Sequence, residues 1–115
     1  MHTFQPIVVY VTFDSEEEAR MIARTVVEEK LAACANVRTE GTSYYTWNAA
    51  LEEAQEWIVL FKTQHARFAA LQQRIVALHS YDTPCVIAWE LRDGHPGYLA
   101  WIEEMTSGVS TDSNS

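Results

Sequence analysis

The sequence predicts a two-layer α+β domain: one β-sheet with helices packed against it. Three observations carry that expectation. Ile7–Phe13 and Trp57–Phe61 are dense in β-branched and aromatic residues, the composition of buried strands. Two stretches, following Ser15 and following Arg67, carry apolar residues at helical spacing. The chain has 115 residues, 48% of them hydrophobic, which suits one domain with one core.

Ile7–Phe13 reads as a central strand buried on both faces. Ser15 then reads as an N-cap, with Glu18 three residues on as a capping box requires and three acids in the first turn to suit the helix dipole. Ala19, Ile22, Ala23, Val26 and Val27 form the apolar stripe of this helix, which is expected to fade near Lys30–Leu31. Ala35 to Trp47 reads as extended, with Gly41 marking a bulge or bend. Asn48-Ala49-Ala50 is the expected turn, since Asn tolerates positive φ, and a second long strand runs from about Leu51 to Thr63. Phe68, Leu71, Ile75 and Leu78 define the second helix, with Arg67, Gln72, Gln73 and Arg74 facing water. Pro84 breaks the chain before another buried strand, Cys85–Leu91. Asp93–Gly97 is a turn cluster, and Tyr98, Trp101, Ile102 and Met105 line a short final helix. The order β-α-β-β-α-β plus a terminal helix is the split β-α-β, or ferredoxin-like, arrangement. The domain is expected over residues 1–106, and 107–115 as a disordered polar tail.

The middle hairpin is longer than so small a sheet needs. Long aromatic edges pair with another chain or aggregate. An oligomer built by edge pairing is therefore expected, through Tyr44, Tyr45, Trp47 and Trp57.

The net charge of −8 makes phosphate backbones and anionic lipid surfaces poor partners, so neither nucleic acid nor membrane is expected. No apolar run approaches the roughly 20 residues needed to span a bilayer, and the first residues lack a signal peptide's basic and apolar regions. A cytoplasmic location is expected. Cys34 and Cys85 then read as buried or interfacial thiols rather than as a bridge.

The densest chemistry lies in His79-Ser80-Tyr81-Asp82-Thr83-Pro84-Cys85. It reads as a metal site, a catalytic loop or a helix-to-strand connection. His79 and Cys85 are plausible metal ligands by type, but nothing nearby completes a four-ligand set. As a connection, His79 meets the negative end of a helix dipole, and Asp82 and Thr83 cap a turn before Pro84. A Cys–His nucleophile would need Cys34 or Cys85 beside His79, and no glycine-rich elbow or Cys-x-x-Cys pair flanks either cysteine. Glu52 and Glu56 share a strand face and could do acid–base or metal chemistry, or simply face basic groups such as Arg38 or Lys62. There is no GxGxxG or Walker sequence.

Together these segments resemble the divalent-cation tolerance protein CutA family. The resemblance runs from Val8 to about Ile102. It rests on Ser15–Ala19, Glu29–Val37, Ser43-Tyr44-Tyr45-Thr46-Trp47, Leu51-Glu52, Glu56, Lys62-Thr63, His79–Pro84 and Tyr98–Ile102. It implies a ferredoxin-like fold, a homotrimer in which long strands pair across subunits, and the three-fold shape of PII signalling proteins. It further implies a non-enzymatic role in tolerance of copper and other divalent metals, with copper or another divalent metal as ligand. The metal contacts would be His79 and Cys85. The alternative is a PII-like sensor whose intersubunit pocket, lined by Lys62, Tyr81 and Trp47, takes a small metabolite; a purely structural assembly module is a third reading. The chain departs from the family's usual His-Pro-Tyr-x-x-Pro-Glu at Ser80 and Cys85. Ala49 stands where the hairpin turn often has glycine. Val11 and Leu78 stand where some members carry a cysteine and a histidine assigned to copper.

Overall fold

The computed structural model describes residues 3–107, without the side chains of Thr39 and Glu40. The tail expected from 107 lies, beyond Ser107, outside the described residues. The elements are β1 (Pro6–Phe13), α1 (Glu16–Glu28), β2 (Cys34–Trp47), β3 (Ala50–Gln64), α2 (Phe68–Leu78), β4 (Val86–Glu90) and α3 (Pro96–Thr106), with a 3-10 turn at His65–Arg67. The sheet order is β2-β3-β1-β4, and all three pairings are antiparallel. β3 thus lies between β1 and β2, the two strands that α1 connects.

Alternation along β1 and β3 sorts the side chains into two faces. Ile7, Val9, Val11 and Phe13, with Val59 and Phe61, meet Ile22, Val26, Leu71 and Ile75 from α1 and α2 in the fully buried core. The opposite face carries Val8, Tyr10 and Thr12 beside Lys62, Leu60 and Ile58. α3 covers only one end of that second face: Gln64 Nε2 donates to Thr106 Oγ1 at 2.9 Å, and the Lys62 ammonium sits 5.7 Å from the centre of the Tyr98 ring.

Local chemistry explains most boundaries. Ser15 caps α1 by accepting the Glu18 N–H at 3.1 Å. Lys30, at φ 63°, closes the helix as Lys30 N–H donates to Val27 O and Leu31 N–H to Val26 O, the Schellman pattern. Asn48 and Ala49 both have positive φ, the type I′ signature of a two-residue hairpin, so Ala50 is already paired strand. The register step between Arg38 and Gly41 is the expected bulge. Pro96 begins α3, and His95 caps it by accepting at Nδ1 from the Gly97 and Tyr98 N–H groups.

Three expectations need correction. Cys85–Leu91 is not a buried strand: β4 is a five-residue edge strand whose Ile87 is 54% exposed, because nothing among the described residues covers that face. Trp57 is not an exposed hairpin aromatic; it lies opposite Phe13 and packs on the core. Arg67 does not simply face water, since its Nε donates to Thr106 O at 2.7 Å and ties α3 to the end of β3.

The hairpin arm sets the shape. β1 pairs only with Trp57–Gln64, so 50–56 of β3 have β2 alone as neighbour. The radius of gyration is 15.3 Å, against about 13 Å for a compact chain of this length.

Candidate functional site

The segment from His79 to Cys85 wraps the end of β1 and delivers side chains to both faces of the sheet. His79, at the C-cap of α2, turns inward. Its ring stacks on Phe13 with centroids 4.6 Å apart and planes at 15°. Its Nε2 lies 2.8 Å from Thr12 O, and its Nδ1 lies 3.0 Å from Tyr81 N. A carbonyl oxygen only accepts and a backbone N–H only donates, so Nε2 carries the proton and Nδ1 is the acceptor. Both nitrogens are therefore used inside the fold.

Glu18 meets this turn from α1. Sequence pattern assigns its side chain to a reciprocal capping box; in the structure the Ser15 half exists, and the carboxylate instead reaches the α2–β4 turn. Glu18 Oε2 accepts from Ser80 N at 3.0 Å and from Ser80 Oγ at 3.2 Å, and lies 3.4 Å from His79 Nδ1.

Tyr81 emerges on the opposite face, over the root of the hairpin. Its hydroxyl donates to Glu56 Oε2 at 3.4 Å, and Ser43 Oγ donates to Glu56 Oε1. Glu56 is only 9% exposed, and its cross-strand partner is Gly41, at the bulge. Of the bases considered for Glu56, Lys62 donates instead to Asn36 Oδ1 at 2.8 Å. The negative field is felt nearby. The Tyr81 phenol is pushed up to about 12, by burial first and then by the charges of Glu56 and Asp14. The Cys85 thiol is also pushed up, by burial first and Glu56 second, which keeps it a thiol.

The structure does not gather the expected metal ligands into a set. His79 has no uncommitted lone pair, and among the described residues no three His, Cys, Asp or Glu side chains form a metal-holding group. Copper at His79 and Cys85 therefore does not fit the residues present in one chain. The expected pocket residues do not converge within one chain either. Lys62 and Trp47 share the second face, yet each lies six strand positions from the level of Glu56, roughly 20 Å along β3 on either side of Tyr81. Cys34 and Cys85 are free thiols, and Cys34 Sγ contacts Tyr98 Oη at 3.6 Å. Sequence reasoning missed the burial of Glu56 and the partnership of Glu18 with Ser80. Glu56 is one of three glutamates in β3 and nothing in the pattern sets it apart from Glu52 and Glu53, and contact between distant segments leaves no signal for the Glu18 partnership.

A small α/β domain with one antiparallel sheet, helices on it, and a protruding aromatic hairpin beside a carboxylate–phenol pair is the class these features define. The chain belongs to the CutA1 divalent ion tolerance protein family, whose model matches residues 7–105. It is 43% identical over 99 residues to the divalent-cation tolerance protein CutA of Thermus thermophilus, covering 86% of this chain and 96% of that protein. The solved Thermus structure superposes with a TM-score of 0.86 at 42% identity, covering 88% of this chain and 98% of that one. The Archaeoglobus fulgidus structure, described as a periplasmic divalent cation tolerance protein CutA, superposes at 0.85 with 37% identity, covering 88% and 98%. Protein CutA of Mus musculus is 40% identical over 88% of this chain, which spans 57% of that longer protein. No helix among the described residues is long and apolar enough to cross a membrane.

Proposed function

We propose that this chain is a non-enzymatic homotrimer acting in divalent-cation tolerance, of ferredoxin-like fold and PII-like shape, assembled by pairing between strand edges. The observation that carries this reading is the hairpin. Tyr44, Tyr45, Trp47 and Leu51 are exposed on an arm that no other strand among the described residues supports, and Leu51 is 76% exposed. A two-stranded ribbon alone is marginal in water, and aromatic edges of this kind are stable when another sheet covers them. β2 and β4 are the two free edges of one sheet, so joining one protomer's β2 to the next protomer's β4 is heterologous, and a rotation of a third of a turn per protomer closes it into a trimer. The uncovered Ile87 and Trp89 lie on the face such a ring would bury.

Static light scattering tests the assembly: three copies of 13.1 kDa give about 39 kDa. A stable 13 kDa species at micromolar concentration would defeat the reading. Calorimetric titration of the metal-free protein with copper and zinc tests direct cation binding separately.

The alternative, a sensor taking a small metabolite between subunits, is favoured by one observation. Lys62 and Trp47 lie on the face where Tyr81 meets Glu56, but they come together only if a neighbouring chain supplies part of the set. We place the protein in the cytoplasm, where Cys34 and Cys85 would stay reduced; cell fractionation tests that assignment.

A further inference from the structure

We infer that the His79–Tyr81 turn is a latch rather than a metal site, and that Glu18 and Ser80 are the residues that close it. A metal ligand needs a lone pair. The His79 ring has one, on Nδ1, and it is committed to the Tyr81 N–H. The other nitrogen donates to Thr12 O, and the side chain is 0% exposed against Phe13. Coordination at Nε2 would break a buried hydrogen bond, and at Nδ1 a partly buried one.

The same contacts describe what the turn does. The imidazole joins β1, through Thr12 O, to the chain just after α2, through Tyr81 N. Glu18 adds α1 by holding both donors of Ser80. Proline at position 80 would supply neither an N–H nor a hydroxyl; any other residue restores the N–H, and the serine hydroxyl adds the second donor. Closing the turn from two sides sets Tyr81 where its hydroxyl reaches Glu56. Glu18 and Ser80 are thus positioning residues for Tyr81. The inference is independent of the trimer, whose failure would be read by mass alone.

The full-length protein labelled with ¹⁵N provides the test. Long-range ¹H–¹⁵N spectra should show His79 as a single Nε2–H species, unchanged by one equivalent of ZnCl₂. One equivalent of CuCl₂ should leave the Ser80 and Tyr81 amides unbroadened. A zinc-induced shift of the His79 ring nitrogens, or copper broadening centred on Tyr81, would overturn the inference. Glu18→Ala keeps the Ser15 cap, which uses the Glu18 backbone, and Ser80→Pro removes both donors. Each should raise hydrogen exchange at the Tyr81 amide about tenfold while α1 stays protected. Exchange equal to the parent in both variants would show that no latch exists.

Discussion

Tyr81 concentrates the electrostatics of the site, and it carries a pH prediction. Its phenol is raised from 10.0 to about 12 by burial, by Glu56 and Asp14, by the hydrogen bond to Glu56 and by Tyr45. The folded chain therefore holds this proton more tightly than the unfolded chain does. The stability this confers is complete below about pH 10 and is lost as the pH rises towards 12. Thermal melts from pH 9 to 12 should show the parent protein losing Tm more steeply above pH 10 than Tyr81→Phe. Parallel curves would show that the phenol does not titrate inside the fold. Residue type alone marked His79 and Tyr81 as worth attention, but their roles were not legible. A histidine that binds metal and one that bridges two backbone groups look the same in sequence. Of the two partners that decide between them, Tyr81 is two residues away but Thr12 lies 67 residues away.

At the scale of elements, the strands and helices were legible because their signals are local: period-2 and period-3.6 patterns, the Ser15 cap, the Gly41 bulge and Pro84. What failed was the reading of β4 as a buried strand. A continuous apolar run marks burial of both faces, and it does not say whether the covering surface belongs to the same chain. The hairpin turn offers a direct check. Ala49 sits at φ 65°, in the left-handed region, where an L side chain costs roughly 1 kcal/mol. Ala49→Gly should raise unfolding free energy by up to about 1 kcal/mol, reduced somewhat by the greater freedom of glycine in the unfolded chain. Chemical denaturation at fixed protein concentration measures this, and a loss of stability would contradict the type I′ assignment.

At the scale of the whole molecule, the two hairpin tryptophans must fail differently. Trp47 is 66% exposed at the end of the arm, whereas Trp57 is packed on the core opposite Phe13. Replacing Trp47 with alanine removes little from a protomer's interior and much from the exposed arm that the proposed assembly would cover. Sedimentation of Trp47→Ala should therefore show dissociation to monomer at concentrations where the parent stays assembled, with far-UV dichroism retained. Trp57→Ala instead opens the core, and should cost about 3–5 kcal/mol of protomer stability. The order of effects separates assembly from folding. If Trp47→Ala left the mass unchanged and Trp57→Ala alone dissociated the protein, the contacts between chains would have to lie at the root of the hairpin. The free arm would then need another explanation for its exposed aromatics.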